Sequence, residues 1–470
     1  MQIADALAAQ IEDGTLREGE RLPGIRELAA DLRCGVVTVS AAYESLAARG
    51  RVVTRAGKGT FVEPQREPVS FASPSRRWSP DVGAFAGARM DGVLERLARA
   101  DAPGVISLAT GHPAPETFPL AEFGRCVHKT LLDDPPEMMQ YGSGSGDADL
   151  RATFARTLRS RGVAAEPDDI IVCSGAQQAA DIVASTLLES RSVVAAESPS
   201  YAQTLGVFDA RGATYVEIAA DEDGVRLDDV ERVFAEYRPR LFYVNPFAQN
   251  PTGALLPERR AKAIVALARR YDVVILEDQT GWVFTYDAAP PAPLAAHDAD
   301  GRVVLLESLS KSVFPALRIG YLFAARNLRA PLESAKMRTD SFTSTLTQRA
   351  LWRFLTSAAA AKHLRSAKAL YRERRDAFVD ALQRALPWTQ VRAPAAGVTL
   401  WLPLPARIST KAAFEECARE GVLVMPADPS YPTRSGPAAI RLSFGDLDEA
   451  TALEGVARLA RALERCRAHT

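Results

Sequence analysis

One lysine follows two serines and precedes an arginine in the stretch Ser308-Leu309-Ser310-Lys311-Ser312-Val313-Phe314-Pro315-Ala316-Leu317-Arg318-Ile319-Gly320-Tyr321. An amine in apolar surroundings is costly to keep charged, so burial of Lys311 would lower its pKa and leave a neutral amine that can attack a carbonyl group. A guanidinium binds phosphate through two parallel hydrogen bonds, and hydroxyl groups add neutral donors. With Ser308, Ser310 and Arg318 as phosphate ligands, the stretch predicts a site for a cofactor that carries an aldehyde and a phosphate, a description that pyridoxal 5'-phosphate fits.

An isolated Ser-x-Ser-Lys has a simpler interpretation, a solvated lysine beside turn serines, so the rest of the chain has to support the site. From about residue 108, apolar runs alternate with helical patterns. The runs lie at 169–173, 192–196, 241–244, 273–276 and 303–306. This alternation predicts a mostly parallel α/β sheet, in which ligands bind beyond the carboxyl ends of the strands.

The first of these runs leads into Ser174-Gly175-Ala176-Gln177-Gln178-Ala179. Small side chains at Gly175 and Ala176, followed by Gln177, would leave backbone N–H groups open at the start of a helix, which favours anion binding. An ordinary strand-to-helix turn is an equal alternative for this segment alone. Together with Ser308, Ser310 and Arg318, it predicts a second wall of the phosphate site.

Several segments resemble fold-type I aminotransferases in the order of that family, over about residues 90 to 470. They are Glu197-Ser198-Pro199-Ser200-Tyr201, Asn245-Pro246-Phe247-Ala248-Gln249-Asn250-Pro251-Thr252-Gly253, Glu277-Asp278, the 308–321 stretch and Ala439-Ile440-Arg441-Leu442-Ser443-Phe444. The resemblance implies that Lys311 holds the cofactor covalently, that Asp278 pairs with its pyridine nitrogen, and that Asn250 donates to its phenolic oxygen. Tyr201 would stack on the pyridine ring, although a core tyrosine is the alternative.

The resemblance also assigns residues to the substrate and to a second subunit. Arg441 would bind an α-carboxylate, although an arginine in a strand is also compatible with a surface ion pair. Gly111 and His112 would line the substrate entrance, with His112 as a neutral hydrogen-bond donor. Tyr141 resembles the residue that reaches the phosphate of the neighbouring subunit, which implies a homodimer.

One departure from the family affects catalysis. The family usually has Glu-Asp-Asp followed at once, or one residue later, by a tyrosine, and the phenol of this tyrosine tunes the covalent bond between lysine and cofactor. Here Gln279-Thr280-Gly281 follows Asp278. Thr280 could donate only a weaker hydrogen bond, so we expect transaminase activity to be weak.

The N-terminal segment 1–63 has a different pattern. Helices are predicted from the start to Gly14, over 25–32 and over about 38–49, and a β-hairpin with a glycine-rich basic tip follows over 52–62. Residues 33–62 carry five basic residues and one acid, whereas residues 1–32 carry seven acids and three arginines. This unit resembles the winged helix-turn-helix of GntR-type bacterial repressors. A dimerisation module is the alternative, but the order, the hairpin glycines and the charge polarity favour DNA binding.

The GntR resemblance implies DNA contacts by specific residues. They are Arg26, Thr38 at the start of the recognition helix, Arg55, and Gly57, Lys58, Gly59 and Thr60 in the wing. The family usually has Gly-Val-Ser-Arg where this chain has Arg33-Cys34-Gly35-Val36, so the arginine before the recognition helix is missing. Arg33 could replace it only as a phosphate contact, which positions the protein but reads no base.

Length and composition set the remaining expectations. We expect a winged helix-turn-helix at 1–63, a linker at 64–88, and an α/β fold-type I body at 89–470. Its large domain would span about 111–334 and its smaller α/β domain 89–110 and about 335–470. The net charge of −1 gives no global attraction to nucleic acid or membrane. The five scattered cysteines and the lack of a long apolar run predict a cytoplasmic protein with no metal site and no membrane segment.

A GntR head joined to an aminotransferase-like body resembles the MocR subfamily of GntR regulators. The leading hypothesis is therefore a transcription regulator that binds double-stranded operator DNA and senses an amino acid or amine by aldimine exchange at Lys311. The first alternative is an active aminotransferase with an attached DNA-binding head. The second is a sensor of the cofactor itself.

Overall fold

The computed structural model describes residues 2–64, 89 and 102–468. The chain divides into two compact units, Met1–Val82 and Gly83–Thr470, called here the head and the body. Apart from Pro64, the predicted linker at 64–88 lies outside the described residues. So do residues 90–100, where the apolar positions Val93, Leu94 and Leu97 predict an amphipathic helix. The exact domain boundaries therefore stay predictions.

Residues 2–64, the described part of the head, form three helices and a two-stranded antiparallel hairpin. Its elements are α1 (Gln2–Glu12), α2 (Ile25–Asp31), α3 (Val36–Ala48), β1 (Val52–Arg55) and β2 (Gly59–Val62). The buried stripe of α3, formed by Val39, Ala42, Tyr43 and Leu46, packs into a core with residues of the other elements. The helix-turn-helix and wing are confirmed, although α3 begins at Val36, two residues before the predicted start.

The body is built on an eight-stranded sheet. Its strands are β4 (Ile170–Cys173), β5 (Val193–Ser198), β6 (Thr214–Asp221), β7 (Gly224–Val225), β8 (Leu241–Val244), β9 (Val274–Asp278), β10 (Val303–Ser308) and β11 (Gly320–Phe323), in the order β4-β11-β10-β9-β8-β5-β6-β7. The pairs from β10 through β6 are parallel, and β11 runs antiparallel to both neighbours. The predicted mostly parallel sheet is thus confirmed, and β6, β7 and β11 are the strands of this sheet that the apolar runs did not include.

Helices cover both faces of this sheet. The α-helices of the body are α4 (Leu120–Asp133), α5 (Ala148–Ser160), α6 (Ala176–Leu187), α7 (Ala202–Asp209), α8 (Leu227–Tyr237), α9 (Glu258–Tyr271), α10 (Arg326–Asp340), α11 (Thr345–Leu355), α12 (Ala358–Ala385), α13 (Thr410–Arg419) and α14 (Glu449–Ala468). Side chains alternate along a strand, so Ile170 and Val172 of β4 enter one apolar core while Ile171 and Cys173 enter the other. A strand buried on both faces is continuously apolar, which explains the runs in the sequence.

A smaller domain forms from both ends of the body. Its strands are β3 (Ile106–Ser107), β12 (Thr399–Pro403), β13 (Val422–Leu423), β14 (Met425–Pro426) and β15 (Ala439–Ser443). Strands β12, β15 and β14 make one antiparallel sheet, and β13 pairs with β3 in parallel. Helices α12, α13 and α14 pack against these strands through a separate apolar core. No described helix is long and apolar enough to cross a membrane.

The strand ends determine where polar side chains meet. Asp278 and Ser308 are the last residues of β9 and β10, which lie side by side in parallel. Both strands extend two residues past the apolar runs seen in the sequence. Polar residues that were expected just beyond the strands therefore have extended backbone, which fixes their direction at the edge of the sheet.

Candidate functional site

A cavity of about 350 Å³ opens at the carboxyl ends of the large-sheet strands, beside the small domain. Most of the residues predicted for the body line it. They are Gly111, His112, Ala176, Gln177, Tyr201, Asn250, Asp278, Ser308, Ser310, Lys311, Arg318 and Arg441. Gly175 immediately precedes Ala176, whereas Tyr141 does not line the cavity. Segments that are far apart in the sequence thus meet in one place.

Lys311 lies in the loop after β10 and donates a hydrogen bond to the backbone carbonyl of Gly111. Burial, together with the positive charge of Arg441, lowers the pKa of Lys311 to about 8, while the Asp446 carboxylate opposes the change. A larger fraction of this amine is therefore neutral near pH 7 than of a solvated lysine. A neutral amine is the form that attacks an aldehyde.

Asp278 is 4% exposed at the floor of the cavity. Its Oδ2 accepts from the Tyr243 hydroxyl at 2.9 Å, and its Oδ1 accepts from the Thr280 backbone N–H at 2.9 Å. Burial raises the pKa of Asp278, against the hydrogen bonds from Thr280 and Tyr243, which lower it. A buried carboxylate is stabilised when a positive group binds beside it, and a protonated pyridine nitrogen is such a group.

The segment between β8 and α9 is held by amide hydrogen bonds. Asn245 donates to the backbone carbonyls of Asp278 at 2.6 Å and Phe247 at 3.1 Å, and its Oδ1 accepts from the Asn250 N–H at 2.8 Å. The Oδ1 of Asn250 accepts from Arg441 Nη1 at 3.2 Å. This orientation leaves the Nδ2 group of Asn250 as a donor for a ligand oxygen.

The proposed phosphate end is formed by two loops. Gly175 is the N-cap residue of α6 and has φ +92°, and a Cβ added there would lie 2.7 Å from Arg318 Nη2. Arg318 donates to the Ser174 carbonyl at 3.1 Å, and Ser308 Oγ donates to Ser310 Oγ at 3.1 Å. A guanidinium, two hydroxyls and an open helix N-terminus form a donor set that fits a phosphate group.

Arg318 has φ +49°, in the left-handed region that side chains other than glycine seldom adopt. This backbone conformation allows the chain to turn from the Lys311 loop directly into β11. The guanidinium side chain is exposed to the cavity. Strained backbone of this kind is concentrated at binding sites in proteins.

A buried ion pair that no sequence motif suggested lies behind the phosphate end. Lys336 of α10 is 0% exposed and pairs with Asp340, whose Oδ2 accepts from Ser174 Oγ at 3.2 Å. The Ser174 carbonyl in turn accepts from Arg318. The i, i+4 spacing of Lys336 and Asp340 could have suggested a pair, but only the fold places it against the loop that precedes Gly175.

Arg441 lies in β15 of the small sheet and reaches the cavity. Its Nη2 donates to the Ala109 carbonyl at 2.5 Å, and its Nε atom is buried without a hydrogen-bond partner among the described residues. Burial lowers the pKa of Arg441, and Tyr201 opposes this change. A buried guanidinium without a carboxylate partner is a suitable site for the carboxylate of a ligand.

Tyr201, His112 and Tyr141 differ in their exposure and in their contacts. Burial raises the pKa of Tyr201 to about 12, and its hydroxyl donates to Gln203, so it is neutral as a stacking ring should be. His112 is largely exposed and its Nδ1 lies 3.6 Å from Asp446 Oδ2, beyond hydrogen-bond distance. Tyr141 is 88% exposed and touches Phe342 edge-on. Its role at a neighbouring subunit stays a prediction.

The two residues after Asp278 face different environments. Gln279 is 0% exposed, accepts from Arg161 at 2.8 Å and donates to Glu277 at 2.5 Å, so it points into the protein interior. Thr280 lines the cavity. Only a threonine hydroxyl is therefore available where the family resemblance implies a phenol.

A second buried group that the sequence did not suggest lies behind β9 and β10. Burial raises the pKa of Glu277 to about 7 and also raises that of Glu307, while burial lowers the pKa of Arg161. Arg161 also stacks on Trp282, 3.9 Å from the ring centroid. Two carboxyl groups and one guanidinium in one buried cluster help to fix the strand ends that carry the site.

The residues of the head that were predicted to contact DNA differ in their exposure to solvent. Arg26, Arg33, Thr38, Arg55 and Lys58 are exposed. Gly57, at φ +72°, forms the tip of the hairpin, and Gly59, at φ +110°, begins β2. In contrast, Thr60 is 7% exposed and its hydroxyl is 3.1 Å from that of Thr54. The prediction for Thr60 was wrong in this respect, because alternation along β2 turns its side chain towards the core.

The charge polarity of the head is also weaker than the sequence suggested. Arg49 pairs with Asp5 at 2.9 Å and Arg51 pairs with Glu12 at 2.5 Å. Both acids lie on α1, which the fold brings against the end of α3. These two arginines are therefore compensated locally, and the positive surface rests on the other basic residues.

Comparisons with known proteins agree with this division. Residues 103–459 match the family model for aminotransferase class I and II, and residues 1–62 match the model for the gntR family of bacterial regulatory proteins. Among solved structures, a kynurenine aminotransferase from Pyrococcus horikoshii in complex with PMP and kynurenine is similar to the body. It has a TM-score of 0.77 and 30% identity, covering 80% of this chain and 94% of that chain.

Two relatives share both units. An "Uncharacterized HTH-type transcriptional regulator YisV" from Bacillus subtilis is 31% identical over 98% of this chain and 96% of its own length. A "Probable rhizopine catabolism regulatory protein MocR" from Rhizobium meliloti is 29% identical over 97% of this chain and 92% of its own length. The combination of head and body is thus found in proteins named as regulators.

Proposed function

Because the chain belongs to the aminotransferase class I and II family and begins with a DNA-binding GntR-family head, we propose that it is a transcription regulator that senses an amino acid or amine in its body. Pyridoxal 5'-phosphate is the cofactor of this family. Its aldehyde, once bound, reacts with amines. The observation that carries the proposal is the set of groups in one cavity, with Lys311, Asp278 and Arg318 suited to the aldehyde, ring nitrogen and phosphate.

In this proposal, different residues of the body bind the amine and the carboxylate of the effector. Lys311 supplies a neutral amine that can hold the cofactor and be displaced by the amine of an effector. Arg441 binds the effector's carboxylate, and its bond to Asn250 connects this contact to the cofactor segment. An amine without a carboxylate would leave the Arg441 charge unsatisfied, so we expect amino acids to bind more tightly than simple amines.

Sensing requires a difference in affinity between two states of the protein. An effector amine that displaced Lys311 from the cofactor would return the lysine to a free amine, which in this structure donates to the Gly111 carbonyl. An effector transmits a signal only if it favours one arrangement of the protein over another. We propose a homodimer, in which two heads bind two half-sites and Tyr141 completes the phosphate site of the other subunit.

A working aminotransferase with an attached head is the second candidate. It is favoured by the nearly complete set of cofactor and substrate groups and by the 30% identity to the kynurenine aminotransferase. The inward direction of Gln279 and the presence of Thr280 in the cavity disfavour rapid turnover, because neither residue supplies the phenol that the family places after the carboxylate.

The deciding experiment measures operator binding and turnover in the same samples. Full-length protein loaded with pyridoxal 5'-phosphate is titrated with operator DNA in the presence of each of the twenty amino acids and a set of amines. We expect at least one effector to change operator affinity by about fivefold or more, with keto acid production far below enzyme rates. Lys311→Ala should abolish this response and the cofactor's covalent attachment.

The matched control is Lys362→Ala, which removes an exposed lysine of α12 and should leave both readouts unchanged. Rapid multiple turnovers with no effect of any amine on DNA binding would establish the aminotransferase instead. A response to the cofactor alone, with no response to amines, would establish the sensor of cofactor.

A further inference from the structure

The exposed large apolar side chains of the described head lie in one place. They are Leu32 at 49%, Val36 at 48% and Val37 at 81% exposure. All three lie in the turn between α2 and α3 or in the first turn of α3. Single exposed apolar side chains are common, but a group of them in one short segment is typical of a surface that meets a partner.

The start of α3 presents these valines outward. Gly35 is the N-cap residue and provides no side-chain hydrogen bond to the helix. The inward face carries Val39, Ala42, Tyr43 and Leu46, so Val37 lies on the outer face. The next exposed side chain on that face is Ala41, one turn later, which is too small to cover it.

The composition of α3 limits what it can recognise. Its sequence, Val-Val-Thr-Val-Ser-Ala-Ala-Tyr-Glu-Ser-Leu-Ala-Ala, contains no Arg, Lys, Asn or Gln. These are the side chains that make paired hydrogen bonds to guanine or adenine in the major groove. The apolar side chains of the first turn can instead contact the 5-methyl group of thymine, which is the apolar feature of that groove.

Two basic residues of the head are suited to the phosphate backbone. Arg33 precedes α3 by three residues and Lys58 lies at the hairpin tip, and both are exposed. Neither forms a salt bridge within the described residues, in contrast to Arg49 and Arg51. Unpaired cations for the phosphates and an apolar surface for the bases together match a groove whose walls are phosphate and whose floor carries methyl groups.

We infer that Val37, with Val36 beside it, selects operator DNA by contact with thymine methyl groups in the major groove. Each half-site then contains at least one thymine whose methyl group lies against the first turn of α3. Arg33 and Lys58 contribute affinity for any sequence, and the valines contribute the preference for thymine. This inference rests on the proposed function, since it assumes that the head binds operator DNA.

The test replaces single thymines by uracil, which removes only the methyl group. Duplexes that bind the full-length protein are first selected from random DNA, and each thymine of the selected site is then changed to uracil in turn. We expect a loss of about threefold to fivefold at one or two positions in each half-site, the effect of one buried methyl group. Uracil at the other positions should bind like thymine.

Val37→Ala should remove the difference between thymine and uracil at one of those positions, because the contacting methyl groups of the protein are gone. The exposure of Val37 makes this variant safe for folding, and circular dichroism with thermal unfolding checks it. Val37→Thr keeps one methyl group, so its ratio of affinity for the thymine duplex to affinity for the uracil duplex should be intermediate. Lys58→Ala should weaken all duplexes alike and leave the ratio unchanged.

The outcomes separate this inference from the proposed function. If no duplex is selected, both the operator-binding proposal and the valine inference fail. If duplexes are selected but every uracil duplex is bound as tightly as its thymine counterpart, the valine inference fails alone. It also fails alone if Val37→Ala keeps the native ratio of affinities for thymine and uracil duplexes at every position. The same holds if Val37→Ala changes the oligomeric state in sedimentation, because the surface then serves contacts between copies. An exposed leucine of α14, changed by Leu453→Ala, is the control for general effects.

Discussion

The head and the body place their functional groups in opposite environments. In the head, Arg33 and Lys58 are exposed to solvent, where salt screens their charges and each contributes modestly. In the body, Lys311 and Asp278 lie in a cavity where burial itself shifts their pKa values. The affinity of the head for DNA is therefore a sum of small contributions. Ligand binding in the body depends on a few groups, and the loss of any one of them lowers the affinity strongly.

The largest effect is expected when Asp278 loses its charge. In Asp278→Asn the amide cannot balance a protonated pyridine nitrogen, and we expect affinity for pyridoxal 5'-phosphate to fall by about 10²- to 10³-fold, as for other broken buried charge pairs. Fluorescence titration of the cofactor-free protein measures this change. Asp272, near the other end of the same strand, is 90% exposed and pairs with Arg302 at the surface. Asp272→Asn should therefore bind the cofactor normally, and equal losses in both variants would contradict the comparison.

A smaller effect is expected from a buried carboxyl group that contacts no ligand. Burial raises the pKa of Glu197 from its ordinary 4.5 to about 8. Within this range the folded protein retains a proton that the unfolded chain releases, so stability is fully present at low pH and falls as pH rises. The slope is at most about 1.4 kcal/mol per pH unit for one proton. Glu277, with a pKa of about 7, and Lys311, with a pKa of about 8, also titrate between pH 7 and pH 8 and act on stability in opposite directions. The contribution of Glu197 is therefore the difference between the native protein and a Glu197 variant.

Glu197→Gln keeps an oxygen that can accept from the Asn245 N–H, which is 2.7 Å from Glu197 Oε1 in the native protein. Calorimetry of the cofactor-free full-length protein should show a fall in the unfolding midpoint of about 1–2 °C from pH 7 to pH 8. In Glu197→Gln this fall should be smaller. Glu189→Gln, at an exposed position, should behave like the native protein. Identical pH dependence in Glu197→Gln would show that Glu197 does not hold a proton in the fold.

The smallest effect is expected in the head. Lys58→Ala should lower operator affinity a few-fold at low salt and reduce the slope of log affinity against log salt by about 1. Arg49→Ala should change this slope less, because Asp5 already compensates Arg49. Binding measured at several salt concentrations compares the two variants. If Arg49→Ala changed the salt slope more than Lys58→Ala, the unpaired exposed charges would not be the ones that contact DNA.

The sequence predicted those parts of the fold and site whose signals are local. Apolar runs revealed the parallel strands, and the residues around Lys311, Asp278 and Gly175 indicated the cofactor chemistry before their meeting in space was known. Strand β11 was missed because its first two residues, Gly320 and Tyr321, end the Lys311 stretch and no turn signal separates the strand from that stretch. Its antiparallel pairing to β4 depends on contacts between segments that lie far apart in the sequence.

The parts that could not be predicted are pairings between distant segments. Arg161 joins Gln279 and the Glu277 cluster, which lie far along the chain, and nothing near Arg161 in the sequence signals this. Thr60 was assigned to the DNA surface from its motif, but the register of the hairpin turned it inward. In both cases the residue type could be read from the sequence, but the direction of the side chain depended on the segment that packs against it.

The left-handed backbone of Arg318 has a consequence for efforts to make this protein more heat-resistant. Glycine adopts φ +49° without strain, so Arg318→Gly would relieve a cost of about 1–3 kcal/mol that the arginine imposes on folding. A screen that scores only thermal survival would therefore select against the guanidinium next to Gly175. Such a screen should therefore also measure ligand binding, because thermal stability favours glycine at position 318 whereas binding of an anion favours arginine.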